Sequence, residues 1–312
     1  MLSEKIRLYD DRDDVTLTTY VLDDSPEMLK GKKRGAVLVC PGGAYLFCSD
    51  REGEPIAMAF ANMGYHVFVL RYSVYFEGKQ VDFEQWQNDA AQNKSIPINP
   101  RSVFPNPMRD IAKAMLTIHQ HADTWLVDTD KIAICGFSAG GHNCAMYAVN
   151  WNQPVITDFF KEDAASFRPA AAILAYPLTD YISMKDYAFD DPKAQGLFNL
   201  LNIAYLGKTA PDEDELTVVS PARLVHEQTP PVFIWSTAAD GLVPIRQSTL
   251  MADALAQKRI PFEAHIFEAG EHGLSTATQS SAGTADLIDA DAAKWIPLCD
   301  AWLQKRFALD LS

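Results

Sequence analysis

The sequence is short of basic residues and of long apolar runs. It has 27 lysines and arginines against 41 aspartates and glutamates, for a net charge of −14. Nucleic-acid binding needs clustered positive charge, so we expect no nucleic-acid partner, and the same balance disfavours anionic membrane surfaces. No apolar run approaches the ~18 residues of a membrane helix, and residues 1–6 show no signal-peptide core. These absences predict a soluble, cytoplasmic protein without membrane insertion.

Cysteine is scarce as well. The five cysteines are odd in number, and their spacings match no zinc site: Cys40, Cys48, Cys135, Cys144 and Cys299. This pattern fits a reducing compartment, where a free cysteine behaves as a small buried hydrophobe. Cys40 and Cys135 each end an apolar run, which favours a core position over a catalytic one. We therefore expect no metal site built on cysteine.

Apolar runs alternate with helix-compatible segments along the 312 residues, of which 48% are hydrophobic. Strands are predicted at 6–9, 15–22, 36–40, 65–72, 131–134, 170–176, 232–235 and 262–267. Helices are predicted at 54–63, 108–120, 141–150, 245–257 and 285–307, the last interrupted at Pro297. The alternation indicates one α/β domain over 1–312, with a mostly parallel central sheet covered by helices on both faces.

Two segments do not fit this alternation. Residues 73–105 are polar and carry prolines, and residues 179–220 separate two predicted strands. We expect both to be small cap insertions that shape a substrate pocket above the sheet edge. A solvated surface loop is an equally good interpretation of the first.

The stretch Cys-Gly-Phe-Ser-Ala-Gly-Gly at 135–141 contains the pattern Gly-x-Ser-x-Gly. It follows a short, mostly apolar run at 131–134 and precedes a helix-compatible segment, which is the strand–turn–helix context of a nucleophile elbow. Gly136 and Gly140 would let strand and helix approach closely, and Ser138 would sit in a strained conformation at the helix N-terminus. The alternative is a glycine-rich turn with a bystander serine.

A serine hydroxyl needs a histidine base, and the base needs an acid that holds its tautomer. Asp240 directly follows the strand at 232–235, and His272 lies in a glycine-flanked loop after the last strand. The order Ser, Asp, His is that of doubly wound hydrolases. Alternative acids are Asp180 and Glu268. The histidine four residues after the serine, His142, precedes the aspartate and is interpreted as a packing or pocket-wall residue.

The negative charge of a tetrahedral intermediate requires an oxyanion hole. One donor should be the N–H of Ala139, the residue after the nucleophile. Others should come from the loop Pro-Gly-Gly-Ala-Tyr at 41–45, where glycines let the backbone approach a substrate. An ordinary tight turn is the weaker interpretation of that loop.

Taken together, the motifs at 41–45, 136–141, 240–244 and 271–273 resemble those of the α/β-hydrolase fold. Within it, the chain resembles serine esterases of the hormone-sensitive-lipase-like and acetyl-xylan-esterase-like bacterial branch, from about Gly35 to the final helix. The resemblance implies a cofactor-free carboxylic-ester hydrolase. It also implies a catalytic triad of Ser138, Asp240 and His272. The implied oxyanion donors are the N–H groups of Gly43, Ala44 and Ala139.

One departure concerns the oxyanion loop. Related enzymes often carry His-Gly-Gly-Gly where this chain has Pro-Gly-Gly-Ala at 41–44. Ala44 keeps its N–H group, but we expect its methyl group to narrow the hole and to restrict bulky alcohol portions.

The preferred substrate is a small-molecule ester with a short, acetyl-type acyl group, an interpretation that rests on family analogy. Esters of acylated or feruloylated saccharides and a small peptidase-like activity are the alternatives. A non-catalytic binding module is a further alternative, although every catalytic position is filled. Homo-oligomerisation is left open.

Overall fold

The computed structural model of the protein describes residues 1–79, 81–92, 94, 96–187 and 192–309. Its strands are β1 (Lys5–Tyr9), β2 (Arg12–Tyr20), β3 (Arg34–Cys40), β4 (His66–Arg71), β5 (Val127–Phe137), β6 (Ala171–Ala175), β7 (Val232–Thr237) and β8 (Phe262–Phe267). Its helices are α1 (Glu54–Asn62), α2 (Phe83–Ala91), α3 (Asn106–Gln120), α4 (Ala122–Trp125), α5 (Ala139–Ala148), α6 (Pro154–Phe160), α7 (Tyr181–Lys185), α8 (Pro192–Leu206), α9 (Glu213–Thr217), α10 (Pro221–Leu224), α11 (Arg246–Gln257) and α12 (Trp295–Phe307).

The strands form one sheet in the order β1-β2-β4-β3-β5-β6-β7-β8. β1 and β2 are antiparallel to each other, and β2 is antiparallel to β4, whereas every pairing from β4 to β8 is parallel. The predicted mostly parallel sheet is confirmed. Since parallel strands end at the same edge, the loops after β5, β7 and β8 all emerge on one side of the sheet.

The central strands are buried on both faces, which explains their continuous apolar runs. In β3, Leu38 belongs to the core on the side of α3 and α5, where it joins Ile111. Val37 and Val39 belong to the core on the opposite side, with Phe60 of α1 and residues of α12. Helices therefore cover both faces of the sheet, as expected.

The closing helix differs from the prediction. It begins at Trp295 rather than at 285, and the preceding residues contain two short 3₁₀ turns, Ala285–Leu287 and Ala292–Lys294. Pro297 lies within the first turn of α12, where N–H groups have no intrahelical acceptor and a proline removes no hydrogen bond. The expectation of a helix over 285–307 interrupted at Pro297 was therefore wrong.

The two segments outside the alternation contain helices of their own. α2 lies in the first, α7, α8 and α9 lie in the second, and α2 packs against α8. Residues 80, 93, 95 and 188–191, which fall in these segments, lie outside the described residues. We retain one domain with cap insertions at 73–105 and 179–220 as a proposal. In the part of the chain that the structure describes, no helix is long and apolar enough to cross a membrane.

Candidate active site

Three loops at the carboxyl edge of the sheet bring the predicted serine, histidine and aspartate together. Ser138 follows β5, Asp240 follows β7 and His272 follows β8. The Nε2 atom of His272 lies 2.8 Å from Oγ of Ser138, and its Nδ1 atom lies 2.6 Å from Oδ2 of Asp240. The three side chains thus form one hydrogen-bonded chain in which the histidine can take a proton from the serine.

The backbone at Ser138 has the strained geometry that the motif predicts. Its dihedral angles are φ +52° and ψ −118°, a region that residues other than glycine rarely adopt. The Ser138 N–H donates to the carbonyl oxygen of Ala175 at 3.0 Å, which ties the turn to the end of β6. Ser138 also directly precedes α5, so its side chain stands at a helix N-terminus, where partial positive charge favours a developing anion.

Asp240 is almost fully buried and uses both of its carboxylate oxygens. Its side chain is 1% exposed. Oδ1 accepts hydrogen bonds from the N–H groups of Leu242 at 2.9 Å and Val243 at 2.8 Å, and Oδ2 faces His272. The tight turn after β7 therefore fixes the orientation of the carboxylate toward the imidazole.

The alternative acids lie elsewhere. Asp180 caps α7 by accepting from the N–H of Ser183 at 2.8 Å, and it pairs with Nε of Arg223 at 2.7 Å. Glu268 is exposed on the loop after β8. Neither carboxylate forms a hydrogen bond to His272, so the geometry favours Asp240 as the acid of the site.

The loop that carries His272 is held by Arg51. The guanidinium of Arg51 donates to the carbonyl oxygens of Ser281 at 2.7 Å and Gly273 at 2.9 Å. The hydroxyl of Ser275 donates back to the carbonyl oxygen of Arg51 at 2.6 Å. These contacts fasten the loop after β8 to the short 3₁₀ turn Asp50–Glu52, which follows the oxyanion loop.

Burial and two carboxylates act on His272 in opposite directions. Burial lowers its pKa, while the charge and hydrogen bond of Asp240 and the charge of Glu52 raise it, and the net result is a pKa above the ordinary value. A neutral imidazole, which could accept the Ser138 proton, is therefore reached at a higher pH than for an isolated histidine. An imidazolium at this position is correspondingly stabilised.

The predicted oxyanion donors lie beside the serine. Gly43 and Ala44 line the cleft that contains Ser138, and both have positive φ angles, +124° and +53°. Within the described residues, the N–H groups of Gly43, Ala44 and Ala139 have no acceptor. The positive φ of Ala44 carries a steric cost for an alanine that a glycine would not have.

The cleft has two unlike halves, and Ser138 lines both of them. One half, of about 40 Å³, is lined almost entirely by apolar side chains: Leu178, Met184, Leu197, Phe198, Leu201, Leu242 and Val243. The other, of about 220 Å³, is more open and holds His272 together with Phe47, Ser49, Arg51 and Glu52. α8, in the predicted second cap segment, supplies Leu197, Phe198 and Leu201.

His142 has the packing role that its position predicts. It is fully buried, its Nδ1 lies 2.6 Å from the hydroxyl of Tyr45, and its Nε2 lies 2.8 Å from the carbonyl oxygen of Val219. Burial lowers its pKa to about 4, so the ring is neutral at physiological pH. A neutral ring accepts from Tyr45 and donates to Val219, and it links the elbow helix to the oxyanion loop.

Two residues of the site, Glu52 and Tyr176, were not identified from the sequence. Glu52 accepts hydrogen bonds from the N–H of Gly42 and from the hydroxyl of Tyr176. The Tyr176 ring packs against the His272 ring, with the ring centroids 5.1 Å apart. A glutamate in the run Ser-Asp-Arg-Glu-Gly at 49–53 has the pattern of an exposed turn. No local pattern distinguishes it from its exposed neighbour Asp50.

The chain matches known proteins along most of its length. The BD-FAE family model matches residues 96–255, which is just over half of the chain. Endo-1,4-beta-xylanase B of Butyrivibrio fibrisolvens is 34% identical over 78% of this chain and 33% of that protein. The chain spans between a third and a half of the length of the curated relatives it matches.

Solved structures match over nearly the whole chain. MGS-M1, an alpha/beta hydrolase enzyme from a Medee basin deep-sea metagenome library, is 31% identical with a TM-score of 0.69, and the match covers 98% of this chain and 97% of that one. An acetyl ester-xyloside bifunctional hydrolase from Caldicellulosiruptor lactoaceticus is 26% identical with a TM-score of 0.71, covering 97% and 96%. The chain therefore belongs to the BD-FAE family of α/β-hydrolase esterases.

Proposed function

We propose that the protein hydrolyses carboxylic esters with short acyl groups through an acyl-enzyme on Ser138. The observation that carries the proposal is the continuous contact from Ser138 Oγ through the His272 ring to the Asp240 carboxylate. A serine in a strained turn at a helix N-terminus, next to a base that is oriented by a buried acid, is an activated nucleophile.

In the first half of the reaction, Nε2 of His272 takes the hydroxyl proton while Ser138 Oγ attacks the ester carbonyl. The carbonyl oxygen becomes an oxyanion, which the N–H groups of Gly43, Ala44 and Ala139 would hold. The imidazolium then returns the proton to the alcohol oxygen as the ester bond breaks. In the second half, water gives a proton to His272 and attacks the acyl-enzyme, and the proton returns to Ser138 as the acid leaves.

The position of His272 indicates which half of the cleft takes which part of the ester. The leaving alcohol receives its proton from Nε2, so the alcohol must lie on the side of the cleft that His272 lines, which is the open half. The acyl group then occupies the apolar half. Its volume of about 40 Å³ is a few times the ~10–15 Å³ that a cavity needs to hold one water molecule, which favours a short acyl group.

Esters of acetylated saccharides are a second candidate that the open half favours. Polar side chains of Ser49 and Arg51 line it, and the exposed ring of Phe47 borders it. A polyhydroxylated alcohol is compatible with such a lining. The similarity to the acetyl ester-xyloside bifunctional hydrolase from Caldicellulosiruptor lactoaceticus supports the same substrate class. The narrow apolar half favours a short acyl chain over a long, rigid feruloyl group, so we regard the feruloylated saccharide as the weaker alternative.

The test is the hydrolysis of p-nitrophenyl acetate and of an acetylated xylo-oligosaccharide by the purified protein and by Ser138→Ala. Ser280→Ala, a serine outside the cleft, serves as the matched control. We expect activity in the wild type and in the control, and none above background in Ser138→Ala. Equal rates in all three proteins, or no reaction in any, would overturn the proposal. A peptidase-like activity or a non-catalytic binding module would then be the favoured alternative.

A further inference from the structure

Glu52 is a buried carboxylate beside the candidate active site that the mechanism above leaves without a role. Its residue is 4% exposed, and among the described residues it forms no ion pair. A buried charge without a basic partner is costly unless hydrogen bonds offset the cost, and Glu52 accepts one hydrogen bond on each of its oxygens.

One oxygen of Glu52 orders the oxyanion loop. Oε2 accepts from the N–H of Gly42 at 2.7 Å. Gly42 lies directly against the nucleophile, since a Cβ placed on it would stand 3.0 Å from Cβ of Ser138. Because Gly42 donates to the carboxylate, the carboxylate sets the orientation of the peptide that leads into the positive-φ residues Gly43 and Ala44.

The other oxygen of Glu52 is linked to His272 through Tyr176. Oε1 accepts from the hydroxyl of Tyr176 at 2.7 Å, and the same hydroxyl accepts from the N–H of Ser275 at 3.0 Å. The Tyr176 ring packs edge-on against His272. Tyr176 itself has a φ of +38° and directly follows Ala175, the residue that accepts from Ser138. One carboxylate is thus connected to the oxyanion loop, to the histidine loop and to the strand that supports the nucleophile.

Glu52 also adds negative charge near the imidazole. The charges of Asp240 and Glu52 raise the pKa of His272. Burial raises the pKa of Glu52 above its ordinary value, although the hydrogen bonds from Tyr176 and Gly42 and the charges of His272 and Arg51 act to lower it. An imidazolium formed between two carboxylates is more stable than one beside a single carboxylate.

We propose that Glu52 is a positioning residue of the hydrolysis, which holds the oxyanion loop through Gly42 and the catalytic histidine through Tyr176. The proposal rests on the proposed function and deepens it. Glu52 acts through other groups and touches no reacting atom. A purely structural glutamate would tolerate a neutral isostere without any change in chemistry, whereas a positioning carboxylate would not.

The first test variant is Glu52→Gln, which removes the charge and disturbs the link to Tyr176 while it keeps the size of the side chain. A glutamine can still accept from Gly42, but its amide would have to donate to the Tyr176 hydroxyl, which already accepts from Ser275, so the hydroxyl proton loses its acceptor. We expect kcat for p-nitrophenyl acetate to fall by about 10- to 100-fold, below the cost of a whole oxyanion donor, with KM within about threefold. The acid limb of the kcat/KM profile should move to lower pH, because one charge that raises the pKa of His272 is gone.

Asp50→Asn is the matched control, since Asp50 is an exposed carboxylate in the same turn and pairs with Arg71. It should leave kcat and the acid limb unchanged. A folded Glu52→Gln protein with wild-type kcat and an unmoved acid limb would overturn the proposal. If the wild type itself proves inactive, the proposed function fails first, so the two failures are distinguishable.

Tyr176→Phe is the second variant, and it decides the matter if Glu52→Gln does not fold. It removes one hydroxyl and leaves the contact to Gly42 in place. We expect a lower kcat. The extent of Ser138 labelling by a fluorophosphonate measures the concentration of folded active sites, and kcat is calculated per labelled site. A wild-type kcat per labelled site would contradict the proposal.

Discussion

The carbonyl oxygen of Gly140 lies 2.1 Å from the position that a Cβ would take on Gly136. The same construction at Gly140 places a Cβ 2.1 Å from the carbonyl oxygen of Cys40, in the neighbouring strand β3. Neither residue has a positive φ, so close approach of three backbones is what excludes a side chain at both. The two glycines of the elbow motif therefore permit β5, α5 and β3 to meet behind the nucleophile.

We expect Gly136→Ala to lower the free energy of unfolding by about 3 kcal/mol, at the upper end of the usual cost of overpacking, because the obstructing atoms are backbone. Urea unfolding would measure the loss. Gly283→Ala is the matched control, since nothing lies within 4 Å of its Cβ position, and it should change stability by less than about 0.5 kcal/mol. Equal stability of the two variants would show that the elbow can relax.

Asp240→Asn should lower kcat by about 10⁴-fold with little loss of stability, because an amide in place of Oδ2 disfavours the tautomer that His272 needs. Steady-state kinetics on p-nitrophenyl acetate would measure it. Glu268→Gln, which alters an exposed carboxylate nearby in sequence, should behave as the wild type. Retention of more than about a tenth of the wild-type kcat in Asp240→Asn would mean that another acid serves.

The pH dependence of kcat/KM should follow the titration of His272. Only the neutral imidazole accepts the serine proton, so activity rises with pH through its pKa. Since the folded environment raises that pKa, the acid limb should have its midpoint above 6.5, and Asp240→Asn should move the residual activity's midpoint downward. A wild-type midpoint at or below 6.5 would contradict the balance of burial and carboxylate charge described above.

Met184→Ala should change acyl preference. Met184 lines the apolar half of the cleft, and its truncation enlarges that half. We expect the ratio of kcat/KM for butyrate over acetate esters to rise by about tenfold, since one methylene in an apolar pocket is worth 10-fold or more. Met251→Ala removes an equally buried methionine from α11, away from the cleft. It should cost similar stability, about 2–5 kcal/mol, without shifting the ratio.

Local patterns in the sequence were enough to find the sheet and the order of the candidate site. Each buried strand is a continuous apolar run, because both of its faces are covered. The elbow at Ser138, the aspartate after β7 and the histidine after β8 are each marked by residues close in the chain. The shared edge of a parallel sheet then determines that the three loops meet.

Other features depend on contacts between distant segments. The residues before Trp295 have helical composition, yet they form 3₁₀ turns, since local propensity is weak beside packing. The apolar half of the cleft joins Leu197 of α8 to Val243 after β7, two positions that no periodicity connects.

Glu52 shows the difference most sharply. Read along the chain, it is a charged residue in a polar turn and belongs at the surface. In the fold it is buried, because the N–H of Gly42 and the hydroxyl of Tyr176, 124 residues away, supply the hydrogen bonds that replace water. Burial of a charge depends on partners that only the folded chain brings together, whereas burial of an apolar run depends on the run itself.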